Sequence, residues 1–228
     1  MTPPDKTITG NEEVLKILRE VKNNPDVTQR ELSTRLGISL GKINFLLKAL
    51  IEHPPGSPWY GFSRFTPELA DADFCRALRD SGCVMLQLGL ESGDQRVLDH
   101  LQKGLDLTTA SLSLTNLAGA GIAPYVYLLF GVPAETPDAA HRTLEFIVRH
   151  ADRIAFLNLS IFNLPARGTE TERLETSPFY DGDLTLYRRF VHPRGWNRSN
   201  VRGFLDSEVR PHPLLKPILQ RDPPFFTS

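Results

Sequence analysis

Cys83-Val84-Met85-Leu86-Gln87-Leu88-Gly89-Leu90 is a near-continuous apolar run, closed by Glu91-Ser92-Gly93. Such a run, too short for a helix and bounded by turn residues, reads as a strand buried on both faces. Working outward, residues 67–81 carry a helical stripe of Leu69, Phe74, Ala77 and Leu78. Residues 107–120 form a second helical segment, stopped at Gly121. Tyr125-Val126-Tyr127-Leu128-Leu129-Phe130 is a second buried strand, ended by Gly131-Val132-Pro133. Residues 138–151 are helical, with Leu144, Ile147, Val148 and Ala151 apolar, and residues 154–164 are a third strand. Strand, helix, strand, helix, strand predicts an α/β unit with a parallel sheet and right-handed crossovers. In such sheets ligands meet the carboxyl ends of the strands. Those ends carry Glu91 and Ser92, then Glu135 and Thr136, then Asn158, Ser160 and Asn163.

Upstream the character changes at His53-Pro54-Pro55-Gly56-Ser57-Pro58, which no helix can continue through. Before it the pattern is purely helical. Val14, Leu15, Leu18 and Val21 mark one helix, and Asn23-Asn24-Pro25-Asp26 stops it. Thr28 caps a second, with Glu31 completing a capping box and Leu32 and Leu36 inside. Gly37 turns the chain, and Ser39 caps a third helix whose stripe is Ile43, Leu46, Leu47 and Leu50. Two short helices about a glycine turn make a helix-turn-helix. With that stripe inward, Gly41, Asn44, Phe45 and Lys48 point outward, Lys42 lies at the flank, and Arg30 adds charge. Lysine suits phosphate, asparagine suits adenine and an aromatic ring suits a thymine methyl, so double-stranded DNA is the expected partner. A small helical protein-interaction module would show the same stripe. The expected divisions are 1–52 (helix-turn-helix), 53–64 (linker), 65–178 (α/β unit) and 179–228 (C-terminal extension).

Bulk composition sets the outer limits. The chain has 228 residues, 40% hydrophobic and 23% charged, enough for one or two globular domains and too apolar for global disorder. The net charge is −1, but it is unevenly spread. Residues 29–48 carry a net +3, and residues 188–221 carry eight Lys/Arg against two acids, a net +6. No apolar run reaches the length of a membrane span, and the polar, Pro-containing start predicts no secretory signal. The two cysteines, Cys75 and Cys83, cannot staple a fold of this size, so a reducing cytoplasm is the expected compartment. His141, His150, His192 and His212 show no metal-ligand spacing. Asp94 and Asp99 read as helix-surface residues.

Two resemblances follow from these residues. Residues 29–50 resemble MarR-type winged helix-turn-helix regulators, except that Pro54-Pro55-Gly56 stands where the wing would start. From about residue 57 onward, Gly89-Leu90-Glu91-Ser92-Gly93-Asp94-Gln95, Leu98, Lys103-Gly104, Ala120-Gly121-Ile122, Gly131-Val132-Pro133-Ala134-Glu135-Thr136 and Phe162-Asn163-Leu164-Pro165 resemble the radical S-adenosylmethionine enzymes. The branch with a cobalamin-binding domain ahead of its barrel is the nearest in pattern, and residues 179–228 resemble it too. The resemblance implies the second half of a (β/α) barrel. It gives Gly89, Glu91 and Ser92 a role at the methionine and ribose of S-adenosylmethionine. It sets Gly131 and Pro133 near the adenine, and Asn158 or Ser160 near the ribose or substrate. Glu91 has a second reading, as a cap facing the dipole of the next helix.

The family's radical chemistry needs a four-iron cluster on a Cys-x-x-x-Cys-x-x-Cys loop. Cys75 and Cys83 are too few, and both read as core or helix-end residues, so no iron–sulfur cluster is expected on this chain. Three functions stay open. The chain is a non-catalytic DNA-binding or cosubstrate-sensing protein; or it is part of a radical enzyme whose iron–sulfur half comes from another chain; or it is a non-functional fusion. Self-association or a partner chain that completes the barrel is expected, because half a barrel leaves sheet surface to cover.

Overall fold

A computed structural model describes residues 50–179 and 186–223. The helix-turn-helix, with Arg30, Lys42, Asn44, Phe45 and Lys48, lies outside the described residues. What is described is mixed α/β. Its frame is a four-stranded, wholly parallel sheet in chain order: β1 (Trp59–Ser63), β2 (Cys83–Glu91), β3 (Ala123–Phe130) and β4 (Phe156–Ile161). Between the strands run α1 (Ala72–Asp80), α2 (Gln95–His100), α3 (Leu107–Gly119) and α4 (Pro137–Arg149).

Side-chain oxygens start these helices. Asp71 accepts from the amides of Asp73 and Phe74, Asp94 from Val97, Asp106 from Thr108 and Thr109, and Thr136 from Ala139. Each cap satisfies amides that have no partner within the first turn. Pro137 at the first position of α4 has its φ preset for the helix.

The helices cover one face of the sheet. Leu86, Leu88 and Leu90 of β2, with Val126, Leu128 and Phe130 of β3, meet Leu78, Leu114, Leu117 and Ile147 in one continuous core. Each such side chain contributes roughly 1.5–3 kcal/mol by leaving water. The core runs on into the C-terminal extension through α6 (Arg198–Phe204), the wide helical turn Leu205–Val209 and α7 (Lys216–Leu219), which bury Val201, Phe204, Val209 and Ile218.

Sheet surface left to cover is expected of half a barrel, but Leu86, Leu88, Val126, Leu128 and Phe130 are not part of it: all five are buried in the continuous core under the helices, and only Val84 beside them is half-buried. The opposite face of β3 presents Tyr125, Tyr127 and Leu129, all half-buried. Two boundaries also differ from the sequence reading. Residues 53–64 include β1, which pairs with β2 from Trp59 to Ser63, so part of the expected linker is an edge strand. A second sheet, β5 (Leu164–Pro165), β7 (Tyr187–Phe190) and β6 (Thr176–Pro178), joins residues on both sides of position 179. The extension is thereby tied to the unit it follows. Between β5 and β6 lies the short helix α5 (Thr169–Arg173).

Candidate functional site

The face of the sheet that no helix covers among the described residues carries a row of rings. Phe62 and Tyr127 have centroids 6.4 Å apart, Tyr127 and Tyr125 4.6 Å, and Tyr125 and Phe156 5.7 Å. At the carboxyl end of this face is a cleft of about 270 Å³ lined by Phe62, Ser63, Gln87, Gly89, Glu91, Tyr127, Leu128, Leu129 and Ser160. Three of the predicted residues, Gly89, Glu91 and Ser160, meet there. Asn158 joins them through the Ser160 hydroxyl, which donates to Asn158 Oδ1 at 2.8 Å.

Glu91 is held unusually. The β2–β3 register slips between Gly89 and Glu91, a bulge that re-aims the strand end. Glu91 sits in the left-handed region, at φ 66°, which costs a non-glycine residue energy and points to a local constraint. Its carboxylate folds back over the strand. A Cβ at position 89 would lie 2.9 Å from Glu91 Oε1, so the fold-back depends on glycine there. The Lys103 ammonium donates to the same oxygen at 2.9 Å, in a partly buried ion pair.

Gln87 and Tyr127 complete the floor and were not singled out in the sequence. The Tyr127 hydroxyl donates to Gln87 Oε1 at 2.6 Å. Burial, followed by the neighbouring Tyr125, pushes the Tyr127 phenol above its ordinary range, so it is a neutral donor. Gln87 is buried, and its Nε2 has no hydrogen-bond partner. A buried orphan donor is a group that a ligand could satisfy. The one polar residue inside an otherwise apolar run was the signal available in the sequence.

Ser92 lies elsewhere. It is fully buried, shares a hydrogen bond with Thr143 Oγ1 at 3.1 Å, and accepts from the Asp94 amide at 3.1 Å. It ties β2 to α4 and does not line the cleft. Gly93 beside it permits this contact, because a Cβ there would come within 2.7 Å of Phe146 Cβ and 2.8 Å of Thr143 Cα. The helix cap is Asp94, not Glu91. Asp94 is buried and ion-paired to Arg142, which corrects its reading as a surface residue.

Gly131 and Pro133 belong to a third place, the β3–α4 turn. Glu135 there is fully buried. Its Oε2 accepts from the Gly131 amide at 2.5 Å and from Trp196 Nε1 at 2.9 Å, while Oε1 has no partner. Burial pushes its pKa up to about 7, against the pull of those two hydrogen bonds. His192 fastens the same turn: Nε2 donates to the Val132 carbonyl at 2.9 Å, and Nδ1 accepts from the amides of Arg194 and Trp196. Burial lowers its pKa, in keeping with a neutral ring. Glu135 therefore bolts the extension to the sheet and lines none of the described clefts. Thr136 is the α4 cap.

The cysteines do not suit an iron–sulfur cluster. Both are buried in the helix-covered core, with Cys75 Sγ on the Leu69 carbonyl and Cys83 Sγ on that of Met85. Burial raises the thiols to about 11 and about 12. Among the described residues no group of three His, Cys, Asp or Glu is arranged to hold a metal ion, and no helix is long and apolar enough to cross a membrane. For S-adenosylmethionine the fit is partial: Gln87, Gly89, Glu91 and Ser160 line one cleft, and Ser92 stands apart.

Residues 14–53 match the family of winged helix-turn-helix DNA-binding segments. No curated protein matches the chain in sequence. Solved structures similar to this chain include the radical S-adenosylmethionine methyltransferase TsrM from Kitasatospora setae with tryptophan and a cosubstrate analogue bound. It is 18% identical with a TM-score of 0.49, over 64% of this chain and 32% of that one. Coproporphyrinogen III oxidase from Escherichia coli, a radical SAM enzyme, is 16% identical with a TM-score of 0.46, over 70% and 38%. Methylornithine synthase is 14% identical with a TM-score of 0.43, over 54% and 35%. The chain spans about a quarter to two fifths of the length of such structures.

Proposed function

We propose that this chain is a DNA-binding regulator whose half-barrel senses a small ligand and does not catalyse radical chemistry. The match of residues 14–53 to winged helix-turn-helix DNA-binding segments carries the reading. The outward Lys42, Asn44, Phe45 and Lys48, with Arg30, supply the phosphate and base contacts. The sensing ligand is S-adenosylmethionine, implied by the resemblance, with Gln87, Gly89, Glu91 and Ser160 as the residues to hold it. The burial of both cysteines supports the non-catalytic part. Fluorescence anisotropy on duplex DNA tests the first part. Affinity falls steeply with salt, and Lys42→Ala and Lys48→Ala each weaken binding and reduce the salt slope by about one unit. Equal binding by wild type and the double variant refutes it. Anaerobic iron and sulfide reconstitution tests the second: the chain stays iron-free, and stoichiometric iron with sulfide would move it to the enzyme class.

A partner reading rests on a different observation. Among the described residues the edge strands β1 and β4 each pair on one side only, and the helices cover one face. An unpaired parallel edge is a site for another chain. The occupant proposed is a second copy, which brings a second four-stranded parallel sheet. Light scattering on the full chain shows concentration-dependent association; a monodisperse monomer throughout overturns it.

A further inference from the structure

A second cleft, of about 490 Å³, lies between the end of β4 and the C-terminal extension. It shares no lining residue with the cleft over the sheet. Its walls include Phe162, Phe190 and Trp196, and its charged residues are Arg188, Arg189, Arg198 and Arg202. Among the described residues no carboxylate lines it, and none of the four arginines is ion-paired.

Each arginine retains capacity for an anion. Arg198 is pinned by neutral acceptors only, with Nη1 on the Phe162 carbonyl at 3.3 Å and on Asn163 Oδ1 at 2.7 Å. Burial lowers its pKa, and the nearby Arg202 cation adds to that in the same direction. Arg188 Nε is buried in the protein without a hydrogen-bond partner. Arg189 stacks over the Phe179 ring, 5.3 Å from its centroid, which leaves its nitrogens for other partners. Guanidinium groups hold phosphate oxygens in pairs, and unpaired cations gathered against apolar walls gain most when one multiply charged ligand neutralises several of them. The volume lies within the range of small-molecule pockets.

We propose that this cleft is a binding site for a phosphorylated small molecule with a flat ring, of the nucleoside diphosphate class. The phosphates lie among Arg188, Arg198 and Arg202, and the ring lies against the aromatic wall. Four guanidinium groups with no counter-charge among the described residues exceed what a single carboxylate would answer, which favours a diphosphate. The cleft shares no lining residue with the one over the sheet, though Gly131, which the resemblance sets near the adenine, lines it.

Calorimetry on the full chain with ADP and with inorganic pyrophosphate tests it. ADP binds saturably and more tightly than pyrophosphate. Arg198→Gln and Arg202→Gln each weaken ADP about ten-fold to a hundredfold, with unchanged melting temperature. Arg202 is exposed with no ion-pair partner among the described residues, so Arg202→Gln reads the site even if Arg198→Gln disturbs the turn it pins. Arg153→Gln, outside the cleft, binds as wild type. No saturable ADP binding up to about 10 mM, or equal affinity in both cleft variants, overturns the proposal. Equal affinity for ADP and pyrophosphate overturns the ring contact. Duplex DNA that displaces ADP and is itself weakened by Arg202→Gln assigns the cleft to the DNA footprint and overturns the small-molecule reading.

Discussion

The two faces of one sheet do different work. On the covered face, leucines, a valine and phenylalanine from β2 and β3 pack against four helices and the extension. On the other face the same strands present tyrosines, a glutamine and a bulge-held glutamate, mostly half-exposed. The first face spends its side chains on close packing and has no room for chemistry. The second keeps a buried orphan donor and a strained carboxylate, which packing alone would have removed.

The sharpest way to break this contrast is to cut each face in turn. Phe130 is fully buried, with its ring 6.1 Å from that of Phe204. Phe130→Ala is expected to cost about 3–5 kcal/mol in denaturant unfolding, through lost transfer energy and a cavity. Phe62 on the other face is 37% exposed, and Phe62→Ala should cost about 1 kcal/mol or less. Comparable losses would mean that both faces are core.

The covering helices were legible because their apolar stripes repeat at helical spacing, and the strands because their apolar runs are short and bounded by turn residues. The strand ends were legible too, since apolar runs stop at Glu91 and Gly131. The assignment of faces was not. In Tyr125-Val126-Tyr127-Leu128-Leu129-Phe130 every residue is apolar or aromatic, so the sequence shows no alternation, while burial in the fold alternates strictly. Tyrosine tolerates half-burial with its hydroxyl free to bond, and only the fold shows which side is wet. Ser92 and Glu135 were misplaced for a related reason. Both stand at strand ends, where ligands bind, but each is consumed by a tertiary tie, to Thr143 and to Trp196. Those partners lie 51 and 61 positions away, beyond any local pattern. Trp59–Ser63 was hidden by the Pro-rich segment before it.

Glu135 gives a smaller and sign-specific test, at the junction of the covered face with the extension. In the unfolded chain its carboxyl loses its proton near 4.5, and in the fold near 7. Between those values the fold keeps a proton that the unfolded chain has released, so stability falls as pH rises from about 4.5 to about 7. It is level above that. The integrated loss is about 3 kcal/mol. His192, lowered in the fold, works in the opposite direction over its own range, so the informative quantity is the difference between wild type and Glu135→Gln. That variant keeps an oxygen for the Gly131 amide and Trp196 and removes the titration. If its stability profile between pH 4.5 and 7 runs parallel to that of wild type, Glu135 is not the protonated bolt.

The smallest effect separates a ligand face from a merely half-buried one. Tyr127→Phe keeps the ring row and removes the hydrogen bond to Gln87 Oε1. Gln87 Nε2 is already unpartnered, so the variant leaves both ends of a buried amide unsatisfied within the protein. Stability should drop by about 1–2 kcal/mol, less than for Phe130→Ala or the Glu135 titration. If the face binds S-adenosylmethionine, calorimetry on the same variant shows a changed affinity, because the freed amide is then answered by the ligand or by water. An unchanged affinity beside a measured loss of stability would make the Tyr127–Gln87 pair a structural tie. It would also move the ligand-binding role of this face away from its floor, toward Glu91 and Ser160 at its rim.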